Sequence, residues 1–106
     1  MDAGDVCDIF SAIGQPNRLA ILRCLAPFSQ GDGAPGLPAG EIGRRLNMAP
    51  ATLSFHLKDM TYKGLLAQRR EGRRLFYAVN MPRLVEALDY IVGEVCEAAS
   101  EAEARA

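Results

Sequence analysis

Apolar residues recur along this chain with two periods, and the change of period divides it into elements. Val6, Ile9, Phe10 and Ile13 share one side of a helix over residues 6 to 13, which Gly14 ends. Pro16 suits the first position of a second helix, because its missing N–H is not needed there. In that helix Leu19, Leu22 and Leu25 stand at helical spacing, Arg18 and Arg23 turn toward water, and Pro27 signals the end. Gly and Pro crowd residues 27 to 38, PFSQGDGAPGLP, and predict a loop. Residues 39 to 46 form a brief third helix, which Asn47 can close with a left-handed backbone. Leu53, Leu57 and Met60 follow at i, i+4 and i+7 in a fourth helix that opens at Pro50 and stops at Gly64. Residues 39 to 63 therefore read as helix-turn-helix. The period then drops to two, predicting strands over 65 to 70 and 75 to 79, the second alternating through Leu75, Tyr77 and Val79, with Glu71-Gly72 as the turn. A last helix from Pro82 to about Ser100 carries a seam of Leu84, Leu88, Ile91 and Val95, widened by Val85, Val92, Cys96 and Ala99.

The predicted fold is mainly α with a small β-hairpin: about five helices and two strands in a single domain over residues 1–106. A domain of this size has a modest core and little use for so wide a stripe on its terminal helix. The spacing of four, three and four residues imitates a coiled-coil seam. The terminal helices, about 5–13 and 82–100, are therefore expected to form a dimer interface.

With the fourth helix's stripe facing inward, Ala51, Thr52, Phe55 and Lys58 project outward and Ser54 and His56 flank them. Hydroxyls can bond base edges or phosphates, Ala and Phe can meet a thymine methyl, and Lys can neutralise a phosphate. Downstream, Arg69, Arg70, Arg73 and Arg74 place four guanidinium groups within six residues, a density that calls for a polyanion. The net charge of −1 hides this polarity. Residues 58 to 74 hold six Lys or Arg against Asp59 and Glu71, whereas residues 86 to 106 hold one Arg against six acidic residues. A basic reading face and an acidic face elsewhere follow.

Other classes find little here. The chain has no glycine-rich phosphate cradle, no nucleophile elbow, no zinc-protease signature, and a single histidine without a carboxylate partner in a motif, so it does not read as an enzyme. No apolar run long enough for a bilayer and no signal-peptide pattern is present, and a cytoplasmic location without membrane contact is expected. Three widely spaced cysteines do not make a secreted disulfide scaffold.

Four blocks, in order, carry a resemblance: Gly14-Gln15-Pro16-Asn17-Arg18-Leu19-Ala20-Ile21-Leu22, Leu37-Pro38-Ala39-Gly40-Glu41-Ile42, Thr52-Leu53-Ser54-Phe55-His56-Leu57-Lys58 and Arg69-Arg70-Glu71-Gly72-Arg73. Over residues 9 to 80, about two thirds of its length, the chain resembles the ArsR family of bacterial winged helix-turn-helix repressors. The resemblance implies a homodimer on double-stranded DNA, with two reading helices about 34 Å apart on an inverted-repeat operator. Thr52, Ser54, Phe55, His56, Lys58, Arg70, Arg73 and Arg74 are the expected DNA contacts.

The family also implies release by an inducer, often a metal ion or a trivalent arsenical. The paired cysteines that some members carry on the third helix are missing from Glu41-Ile42-Gly43-Arg44-Arg45-Leu46, and the only histidine lies in the reading helix. No metal ligands are assigned and no cofactor is required. A thiol-reactive inducer such as trivalent arsenic leaves Cys96 as the preferred sensor, with Cys24 or Cys7 as its partner. A sulfide- or oxidant-responsive thiol switch is the alternative, since Cys24 and Cys96 resemble a second family pattern. Pro50 and Ala51, standing where many relatives are polar, also leave open a winged-helix interaction module without an inducer; the clustered arginines favour DNA.

Overall fold

The computed structural model describes residues 1–31 and 34–105. Helix α1 (Ala3–Ile13) begins earlier than its apolar spacing predicts, because Asp2 and Asp5 cap each other: each backbone N–H donates to the other's carboxylate, at 2.8 and 3.2 Å. Helix α2 (Pro16–Leu25) runs on through a one-turn 3-10 helix at Ala26–Phe28, so Pro27 does not stop the chain turning. Its buried set is Arg18, Ile21, Leu22 and Leu25. Two expectations fail here: Leu19 is 51% exposed, and Arg18, assigned to water, is 3% exposed. The inward stripe is rotated from the predicted one, because Arg18 has buried partners far away in sequence.

The loop expected over 27 to 38 ends in a short strand, β1 (Leu37–Pro38), while Asp32 and Gly33 lie outside the described residues. Gly36 makes this approach feasible: its φ is 67°, and a Cβ there would stand 2.5 Å from the carbonyl oxygen of Tyr77. Helix α3 (Ala39–Leu46) closes on Asn47 at φ 51°, ψ 49°, the left-handed cap read from sequence. Helix α4 (Pro50–Tyr62) ends at Lys63. There Gly64 N–H donates to Thr61 O and Leu65 N–H to Met60 O, a Schellman ending that the glycine φ of 84° permits.

Strands β2 (Leu66–Glu71) and β3 (Arg74–Val79) pair antiparallel from Leu66 opposite Val79 to Glu71 opposite Arg74. The turn is therefore Gly72-Arg73, one residue later than predicted, with positive φ at Gly72 matching the twist of the strands. β1 adds to the free edge of β3, with Leu37 opposite Tyr77, giving three strands in the order β1-β3-β2 rather than two. Helix α5 (Met81–Arg105) starts where Asn80 Oδ1 accepts the N–H of Arg83, and it extends past Ser100, the predicted end.

Ile9, Ile21, Leu25, Ile42, Leu53, Leu57, Met60 and Leu65 fill the centre, with Tyr77, Val79 and Ala87 closing it. Ala87 is the single fully buried residue of α5 among the described residues. Val85, Leu88, Ile91, Val92 and Val95 are 40–62% exposed along the helix, which carries on beyond the core. No helix of the described residues is long and apolar enough to cross a membrane.

Candidate nucleic-acid interface

The packing of Leu53, Leu57 and Met60 against the core decides what α4 offers to solvent. Ala51, Thr52, Ser54, Phe55 and Lys58 are all exposed, Phe55 to 66%. Tyr62, two turns beyond Phe55, is 88% exposed and was not singled out by sequence reasoning. An aromatic held in water by the last turn of a helix was its only sequence signal. Between α4 and the hairpin runs a groove lined by Ser54, Lys58, Tyr62 and Gln68, where Gln68 Nε2 donates to the Tyr77 hydroxyl at 3.2 Å.

His56 departs from this face. It is 6% exposed, and its Nδ1 accepts a hydrogen bond from Arg18 Nε at 3.1 Å. The expectation that it contacts DNA is corrected, because it lies on the inward side of α4, one turn from Asp59. Burial first, and then the Arg18 guanidinium, hold its pKa below the ordinary 6.5, with Asp59 opposing. The neutral ring keeps Nδ1 free to accept. Arg18 Nη1 also pairs with Asp59, whose carboxylate is shared with Lys63 Nζ at 3.1 Å. Burial pushes the Asp59 carboxyl up, but the bonds from Arg18 and Lys63 outweigh it and hold it below 3.8.

This pairing sharpens the charge on the outer surface. Of the two acidic residues in the basic segment, Asp59 is engaged by Arg18 and Lys63, and Glu71 by Arg69. Lys58, Arg70, Arg73 and Arg74 form no ion pair with any described residue. Arg69 also donates to Pro35 O and lies 4.4 Å over the Phe76 ring, which Arg74 approaches at 5.4 Å. On α3, Glu41 accepts from Arg44 and Arg45, and those bonds hold its carboxyl at about 2. One carboxylate against two guanidinium groups leaves that helix basic as well.

The thiols are separate and free: Cys7 on α1 and Cys96 on α5 are exposed, and Cys24 on α2 is half-buried against the core. Burial pushes the Cys24 thiol up, opposed by Arg45 and reinforced by Glu41, so little of it is thiolate. Among the described residues no group of three or more His, Cys, Asp or Glu is arranged to hold a metal ion. Residues 13–69 match the family described as helix-turn-helix domain. The uncharacterized HTH-type transcriptional regulator YceK of Bacillus subtilis (strain 168) is 34% identical over 71 residues, covering 67% of this chain and 66% of that protein. An ArsR-like transcriptional regulator from Rhodococcus sp. RHA1 superposes with a TM-score of 0.82 at 19% identity, covering 95% of this chain and 89% of that one. The homodimeric winged helix-turn-helix DNA-binding domain of a possible ArsR-family transcriptional regulator from Mycobacterium bovis gives 0.65 at 26% identity, covering 86% and 80%.

Proposed function

We propose that this chain, which belongs to the ArsR family of helix-turn-helix transcriptional regulators, is a homodimeric repressor that binds double-stranded DNA at an inverted-repeat operator. The carrying observation is two exposed sets on adjoining elements: the outward residues Thr52, Ser54, Phe55 and Lys58 of α4, which the groove at Ser54, Lys58 and Gln68 joins to the hairpin, and that hairpin's Arg70, Arg73 and Arg74, whose charges meet no acidic partner among the described residues. In this reading the α4 side chains enter a major groove and choose the sequence, while the hairpin arginines lie on the phosphates and set affinity. Tyr62 and Gln68 extend the same surface.

Dimerisation would double both terms. The exposed Val85, Leu88, Ile91, Val92 and Val95 support pairing through α5 with α1 alongside, and the Mycobacterium bovis relative is itself homodimeric. For release, the reading retains a thiol-reactive inducer such as trivalent arsenic, or a sulfide or oxidant acting on the same residues. Cys96 and Cys7 suit it best, since both are exposed on the two helices assigned to the interface, and Cys24 suits it least. Selection of bound duplexes from a random-sequence pool tests the core of the proposal. An enriched inverted repeat is the predicted result; enrichment of no sequence would overturn it.

A further inference from the structure

The reading helix is tied to the rest of the subunit by a polar clamp that apolar packing did not require. Arg18 is 3% exposed, and its guanidinium donates to His56 Nδ1 at 3.1 Å, to the Asp59 carboxylate, and to Ala12 O of the last turn of α1 at 3.5 Å. His56 and Asp59 are three residues apart, so one planar group spans a full turn of α4. A turn later, Lys63 repeats the link by pairing with Asp59 at 3.1 Å and donating to Ser11 Oγ of α1 at 2.7 Å. Apolar contacts of the Leu53, Leu57 and Met60 kind are non-directional and leave a helix some freedom to roll. A planar fork with fixed donor directions removes that freedom. Burying an ion pair adds little net stability over apolar residues of the same volume, so its distinct contribution is orientation.

We propose that Arg18 is a positioning residue for sequence reading: it fixes the roll of α4 against α1 and α2, and thereby the angle at which Thr52, Ser54 and Phe55 meet the bases. The inference rests on the DNA reading above and adds to it a residue that touches no DNA. It also gives the dimer-forming end a route to the bases, because α1 is joined both to α4 by this clamp and to α5 by Asp5 and Arg83 at 3.3 Å.

The test uses the full-length protein and two probes: a duplex enriched from a random pool by the wild-type protein, and a scrambled duplex of the same length. Affinity for both is measured well below the unfolding temperature for wild type, His56→Leu, His56→Asn and Arg18→Lys. His56→Leu removes the acceptor, His56→Asn restores an oxygen near the Nδ1 position, and Arg18→Lys keeps the charge but loses the fork. Positioning predicts that His56→Leu and Arg18→Lys lower the enriched-to-scrambled affinity ratio about tenfold, in the range of couplings between separate sites, while scrambled binding is unchanged and His56→Asn recovers most of the ratio. A merely structural role leaves the ratio constant, and that result overturns the inference. So does failure of both His56→Leu and Arg18→Lys to fold, since the clamp would then be a folding element. If the wild-type protein enriches no duplex, the DNA reading itself falls, a separate outcome.

Discussion

The Oγ of Ser29 accepts the backbone N–H of Val79 at 2.8 Å and donates its own proton to Leu25 O at 2.6 Å. One buried hydroxyl thus joins the end of α2 to the last residue of β3, fifty positions away, and steadies the hairpin's root. Ser29→Ala strands a buried amide, which costs about 1–3 kcal/mol. Thermal unfolding by circular dichroism should show a Tm lower by about 4–8 °C per kcal/mol lost. An unchanged Tm would contradict the assignment.

A second consequence follows from His56, the only histidine of the chain. Its folded pKa lies below 6.5, so as pH falls the unfolded state takes up the proton first. The stability linked to neutral His56 is complete above about pH 6.5 and is lost progressively below it, toward the folded value. The Asp59 contribution is lost only further down, below its ordinary 3.8. The two C–H resonances of this one imidazole in proton NMR should titrate below the free-histidine value. Tm should drop between about pH 7 and about pH 5.5 in wild type and stay flatter in His56→Asn. An imidazole titrating above 6.5 would reverse the sign of this account.

Much of the fold was legible because local rules fixed it. Asn47 at the end of α3, Gly64 after α4 and the alternation of Leu75, Tyr77 and Val79 each announce a backbone state that few residues satisfy. Arg18 and His56 depart from the sequence expectation for one reason: charge and polarity predict a side chain facing water, and the partner that permits burial lies 38 residues away, where no spacing rule reaches. The strand at Leu37–Pro38 was hidden likewise, since its two residues pair only once β3 is in place. At the candidate interface Thr52, Ser54, Phe55 and Lys58 were readable from one helical stripe. Tyr62 and Gln68 were not, because what unites them is the groove between α4 and the sheet.

The α5 seam carries a prediction of its own. Leu88 and Val92 are 46% and 60% exposed, so replacing both with Glu should leave the helical circular dichroism intact while separating the subunits. Sedimentation velocity should report a dimer for wild type at micromolar concentration and a monomer for the double variant. A wild-type monomer would refute pairing through this face.

For the thiols, the exposure of Cys7 and Cys96 and the raised pKa of Cys24 set an order. Arsenite or a persulfide donor should release wild-type protein from its enriched duplex, and the Cys7→Ser/Cys96→Ser double variant should not respond. Cys24→Ser should behave as wild type. An unaltered response after all three cysteines become Ser would remove thiols from the mechanism.

The central claim is tested most directly by fluorescence anisotropy on the enriched duplex over a salt series with random competitor. With on the order of eight phosphates neutralised per dimer, log affinity should fall against log salt with a slope near about −7. Replacing Arg70 and Arg73 with Ala removes two contacts per subunit, and should weaken all duplexes alike and flatten the slope by roughly three to four. Binding that shows no preference over random duplex in dilute buffer, or that does not respond to salt, would contradict the account.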